Sequence, residues 1–191
     1  KLGSIGKEIF GTDRIRILDE NRNEVPDGEV GELFYRTPML FKEYLKEPEK
    51  TQEAFEGEWS SAGDMVKRDE DGYYTLVDRK ANMIITGGEN VYPSEVESAV
   101  GAHEAVRDIA VIGIPDDKWG EAIKAVVVLN DGYEAGDELA KDILDFTRGK
   151  IAGFKRPKSI DFVQDEDMPR TPTGKILHRV LREKFGKWSD A

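Results

Sequence analysis

A lysine that follows a flexible Thr-Gly step, Thr173-Gly174-Lys175, can carry an ammonium group to a phosphate and neutralise charge that builds around phosphorus. The plain alternative is one more solvated lysine. Asp64, directly after Gly63, is a carboxylate that can accept both hydroxyls of a ribose, or a turn aspartate of the kind common beside glycine. Gly87-Gly88 reads as a tight turn at positive φ, and its missing side chains also leave room for a thin ligand near the backbone. At Phe154-Lys155-Arg156-Pro157-Lys158 an acid-rich chain turns basic. Arg and Lys there can pair with phosphates, or form a solvated loop beside core aromatics. Of the two histidines, His103 reads as structural and His178 as a surface helix position one turn beyond Lys175.

These residues need elements to hold them. Alternation over 13–19 predicts a strand, with Ile15 and Ile17 on one face. Asn21-Arg22-Asn23 and Pro26-Asp27-Gly28 predict turns, and 31–36 a second strand. A short helix is expected over 48–55, then strands over 59–65 and 73–77. The character changes near Asp78-Arg79-Lys80. A hairpin around Gly87-Gly88 precedes a helix opened by Pro93 and Ser94, whose acidic first residues suit its dipole. Apolar β-branched strands are expected over 106–114 and 123–129, an amphipathic helix over 137–150, a strand over 159–163 and a final helix over 175–185. The fold class is therefore α+β: a small antiparallel β unit over 1–78, then an α+β domain over 79–191.

Composition narrows the function. The 191 residues carry a net charge of −11, which argues against a general nucleic-acid binder. The absence of cysteine excludes thiolate metal sites, disulfides and a cysteine nucleophile, and two histidines do not make a histidine-rich metal centre. No apolar run approaches a membrane span. The chain opens at Lys1 without a methionine or an apolar signal, so it is expected to begin inside a larger, cytoplasmic protein.

Several segments occur in a telling order. Gly28-Glu29-Val30-Gly31-Glu32-Leu33, Ser61-Ala62-Gly63-Asp64 and Val77-Asp78-Arg79-Lys80 come first. Ile84-Ile85-Thr86-Gly87-Gly88-Glu89-Asn90-Val91-Tyr92-Pro93-Ser94-Glu95-Val96-Glu97 follows, then Phe154-Lys155-Arg156-Pro157-Lys158 and Pro169-Arg170-Thr171-Pro172-Thr173-Gly174-Lys175. The series resembles the acyl-CoA synthetase branch of the adenylate-forming enzymes, which also holds aryl-CoA ligases, luciferases and peptide-synthetase adenylation domains.

The resemblance implies the C-terminal part of an acid–CoA ligase. Such an enzyme activates a carboxylic acid with ATP to an acyl-adenylate and passes the acyl group to CoA. It implies that Lys175 promotes adenylation, that Asp64 with Arg79 holds the ATP ribose, and that Asp78, Lys80 and Ala81 lie in the hinge at 78–82 of a mobile lid. Ala81 stands where the family usually has Asp or Lys, and a small residue can still absorb backbone rotation. It further implies that Gly87 and Gly88 border the pantetheine arm of CoA, while Trp119, Phe154, Arg156 and Lys158 meet its nucleotide. No metal site is expected here. Magnesium, the glycine-, serine- and threonine-rich phosphate loop and the acid pocket belong to the part before Lys1, so this piece alone should be inactive. Lys175 also resembles the acetylation target of a protein lysine acetyltransferase, which would remove its charge. A luciferase-like oxygenase, a carrier-protein-loading enzyme and a noncatalytic CoA- or nucleotide-binding lid are the competing expectations.

Overall fold

The computed structural model describes residues 2–8 and 14–186; Lys1 and Asp13, which enter the sequence reading, lie outside them. The chain divides into two compact units, Lys1–Ala81 and Asn82–Ala191.

In the first unit, β1 (Ile15–Leu18), β2 (Val30–Tyr35), β3 (Phe55–Glu56), β4 (Trp59–Arg68) and β5 (Tyr74–Arg79) form one antiparallel sheet. The long β4 pairs with β2 along one edge and with β3 and then β5 along the other. A short helix, α1 (Pro48–Ala54), starts on a proline whose missing N–H costs nothing in the first turn. Ile17, Val66 and Tyr74 are the buried centre, with Ile15, Val25 and Leu33 packed around them. Gly31 is required by close approach: a Cβ there would stand 2.7 Å from the Ile17 side chain and 2.8 Å from the Leu18 carbonyl oxygen.

In the second unit, β6 (Ile84–Thr86) and β7 (Glu89–Val91) form the expected hairpin, followed by α2 (Pro93–Gly101). β8 (Val106–Asp116) and β9 (Gly120–Leu129) are a long antiparallel pair, and β10 (Ser159–Val163) joins β9 in parallel. Residues alternate along β8 and β9. Ile109, Val111, Ile123, Ala125 and Val127 share a core with Val96 and Val100 of α2 and Ile143 of α3 (Asp137–Phe146). Ala110, Ile112, Ile114, Ala122, Val126 and Val128 meet Met168 and Leu181 of α4 (His178–Phe185). A sheet covered on both faces needs apolar residues at successive positions, which is why these strands read as continuous hydrophobic runs. Among the described residues no helix is long and apolar enough to cross a membrane.

Two helices are shorter than expected. α3 stops at Phe146 rather than 150: the Thr147 hydroxyl donates to the Leu144 carbonyl and Gly149 takes a φ of 76°. α4 begins at His178 rather than 175, because the preceding residues are held in a hairpin that leaves Lys175 outside the helix.

Candidate functional site

Asp64 is set by an irregularity in β4. Leu33 alone on β2 stands between register pairs that span Ala62, Gly63 and Asp64 on β4, and Gly63 absorbs the distortion at a φ of 73°. Asp64 lies directly across from Arg79 of β5. Arg79 donates to the Ala62 carbonyl at 3.0 Å and brings Nε within 2.9 Å of Asp64 Oδ1. That approach is an ion pair without hydrogen-bond alignment, and Asp64 Oδ1 is a buried acceptor with no donor aimed at it.

The end of the first unit is anchored from below. Glu32 of β2, nearly buried, accepts from Lys80 Nζ at 2.8 Å and from the Ser61 hydroxyl at 2.7 Å. Ser61 Oγ in turn accepts the Gly63 amide. The Asp78 carboxylate accepts the Arg79 amide at 2.6 Å, and Lys80–Asn82 makes one 3-10 turn containing Ala81. Glu32 was not singled out from the sequence; its place in Gly31-Glu32-Leu33 was the available signal.

In the second unit, Gly87, Trp119, Phe154 and Lys158 come together around a cavity of about 320 Å³, with Thr86, Glu89 and Gly153 completing its wall. Both aromatic rings are unusually exposed, Trp119 at 44% and Phe154 at 43%. Gly87 and Gly88 form the hairpin turn at φ of 62° and 83°, and the Gly87 amide donates to the Trp119 carbonyl at 2.8 Å. A Cβ on Gly87 would come within 3.0 Å of the Trp119 ring, so the indole lies on bare backbone. Arg156 is placed differently. Its guanidinium donates to the Thr147 hydroxyl at 2.9 Å and the Leu144 carbonyl at 2.7 Å, closing the C-terminal end of α3. A cation there satisfies orphan carbonyls and complements the helix dipole. Lys155 likewise binds Glu95 of α2 at 2.7 Å.

Lys175 stands on an exposed hairpin organised by Thr171. The Thr171 amide donates to the Lys175 carbonyl at 2.8 Å, the Gly174 amide to the Thr171 carbonyl at 2.9 Å, and the Lys175 amide to Thr171 Oγ1 at 3.1 Å. Gly174 closes the turn at a φ of 86°. On one side Arg170 ion-pairs with Asp108 of β8 and reaches Asp165 at 3.4 Å. The hydrogen bond with Asp108 pushes the Arg170 guanidinium still higher than its ordinary value. On the other side His178 Nε2 lies 3.0 Å from Glu97 Oε1, which also accepts the Val111 amide. His178 is thus a tethered residue at the start of α4, not a free surface histidine. Arg170 sat inside a quoted motif, yet its partners on β8 and in the 165–167 turn could not be seen from spacing. His103 is buried, accepts the Ala105 amide and stacks edge-on against Phe146, as a structural histidine would.

Residues 95–175 match the family described as the AMP-binding enzyme C-terminal domain. Feruloyl-CoA synthase of an Amycolatopsis species is 44% identical over 97% of this chain and 37% of its own length. Long-chain-fatty-acid–CoA ligase FadD13 of Mycobacterium tuberculosis is 40% identical over 97% of this chain and 35% of its own. Residues 95–175 thus belong to the C-terminal domain family of AMP-binding enzymes. ATP-bound MatB from Rhodopseudomonas palustris superposes on this chain with a TM-score of 0.85 at 37% identity, covering 97% of it and 36% of MatB. Its α+β architecture is that of the C-terminal portions of adenylate-forming enzymes, and the chain spans about 37% of the length of the first relative.

Proposed function

We propose that this chain is the C-terminal part of an AMP-forming acyl- or aryl-CoA ligase, which activates a carboxylic acid with ATP to an acyl-adenylate and then transfers the acyl group to CoA. The observation that carries this reading is the cavity bounded by Gly87, Trp119, Phe154 and Lys158. Two exposed rings offer stacking surface to a purine, a lysine at the rim offers charge to phosphate, and a glycine wall admits a narrow arm. These are the demands of CoA. Arg156 acts in this reading as a support for the loop that presents Phe154 and Lys158, through its hold on α3.

Lys175 supplies the cation for adenylation. Its ammonium has no ion-pair partner among the described residues. Asp64 receives the ATP ribose, with Arg79 beside it. Asp78, Lys80 and Ala81 form the pivot between a β subdomain over 1–78 and a lid over 79–191. Acetylation of Lys175 by a protein acetyltransferase would cancel its charge and silence the adenylation step. Among the described residues no group of three or more histidine or acidic side chains is placed to hold a metal ion.

Product analysis tests the reading. The full-length protein is given ATP, a panel of fatty and aryl acids, and in separate reactions CoA, a phosphopantetheinyl carrier protein or oxygen alone. Acid-dependent AMP and an acyl-CoA thioester are expected. A product that forms only with carrier protein or oxygen would move the chain to another branch, and CoA binding without turnover would make it a binding lid. The 191 residues alone, whose sequence has no glycine-, serine- and threonine-rich phosphate loop, are expected to show no turnover.

A further inference from the structure

The β6–β7 hairpin is held to the rest of its sheet by little backbone. Its register with β9 consists of one pair, Thr86 opposite Gly120, extended by the Gly87 amide on the Trp119 carbonyl. In a hairpin closed by Gly87-Gly88, Ile85 is the residue whose amide turns away from β7, by the alternation of antiparallel pairing. That amide meets a side chain: it donates to Glu121 Oε2 at 2.7 Å. Glu121 reaches it by lying over Gly113 of β8, a buried glycine. A Cβ on Gly113 would stand 2.5 Å from Glu121 Oε1, 2.9 Å from its carboxyl carbon and 3.1 Å from the Ile84 side chain. The absent side chain of Gly113 is therefore the space that the Glu121 carboxylate occupies.

We infer that Glu121, seated on Gly113, is a positioning residue for CoA. Its carboxylate replaces the missing strand ladder, fixes Ile85 and with it the Gly87 turn, and so sets the gap between the turn and the Trp119 ring. The inference rests on the reading that CoA occupies this cavity. Glu121 does not itself line the cavity, so its effect reaches CoA only through the hairpin.

The test uses the full-length protein and separates two half-reactions: adenylate formation by pyrophosphate exchange, and thioester formation as a function of CoA. Glu121→Ala is expected to raise the KM for CoA about tenfold, the loss of a hydrogen bond to a charged acceptor, while exchange stays within about twofold. Glu121→Gln, whose amide oxygen can still accept from Ile85, should restore most of the loss. Gly113→Ala should reproduce the Glu121→Ala defect and add little to it in the double variant, because both displace the same carboxylate. Trp119→Ala, an exposed truncation, reports on the cavity independently. If it raises the KM for CoA and Glu121→Ala does not, the positioning role is overturned and CoA binding stands. If neither moves it, CoA does not bind here and both readings fall. Equal losses in both half-reactions without rescue by Gln would mean a role in folding only, which also overturns the proposal.

Discussion

Lys80 Nζ lies 2.8 Å from Glu32 Oε2, tying the last residues of the first unit to the β2 strand. Glu32 is the acceptor for Lys80 and Ser61 together and is far less exposed than Lys80, 12% against 48%. The two ends of this pair should therefore respond differently to truncation. Glu32→Ala strands the Ser61 hydroxyl and the lysine and is expected to cost about 2 kcal/mol. Lys80→Ala leaves Glu32 still bonded to Ser61 and open to Arg22, and should cost about 1 kcal/mol or less. Urea unfolding of the two variants measures the difference; equal costs would show that Glu32 is not the hub.

Arg170→Ala should loosen the hairpin that bears Lys175 more than it destabilises the fold. The Arg170–Asp108 pair is about a third exposed, so its contribution to stability is screened and expected near 1 kcal/mol. Misplacing Lys175 is costlier to chemistry, and pyrophosphate exchange is expected to fall about tenfold. Arg170→Lys, which keeps charge but loses the fork, should recover only part of this. Thermal melts run beside the exchange assay separate the two effects.

Arg156 is expected to behave as a structural residue. Two of its five donors, on Nε and Nη2, are held by Thr147 and Leu144 at the end of α3, so Arg156→Ala should lower stability by about 1–2 kcal/mol. Its effect on the KM for CoA should be smaller than that of Phe154→Ala or Lys158→Ala. A reversed ranking in thioester assays would return Arg156 to direct phosphate contact.

Lys124 is buried in β9 and donates to Asp161 of β10 at 2.8 Å, across the parallel pair. Asp161→Ala removes the partner of a buried ammonium and is expected to cost about 3 kcal/mol. Lys124→Met leaves only the more exposed Asp161 unpaired, which water can reach, and should cost about 1 kcal/mol. Denaturant midpoints of the two variants decide it.

Much of the fold was legible because it follows local patterns. Alternation marked β1, the Gly87-Gly88 turn marked its hairpin, Pro93 marked the start of α2, and 159–163 was read as the strand that is found. What the sequence hid was non-local. The parallel pairing of β10 with β9 depends on a crossover, and the two-residue β3 is too short to show a period. The helix boundaries at Phe146 and His178 were lost to side-chain and glycine effects, where Thr147 competes for a helix carbonyl and Thr171 folds the lysine loop back. In the candidate site the residues offering charge or stacking surface were visible by type. Those that hold them, Glu32, Glu97 and Glu121, were not, because each is one carboxylate among many in an acidic chain until its partner strand is known.

The most direct test is the Lys175→Ala variant of the full-length protein, assayed in two steps. Pyrophosphate exchange reports adenylate formation, and thioester formation from a supplied acyl-adenylate and CoA reports the second step. Loss of one preorganised charge at the transition state is expected to lower exchange by about 10²-fold or more while thioester formation stays within a few-fold. Exchange at the parent rate in Lys175→Ala would contradict the assignment of this lysine and, with it, the adenylation role of the chain.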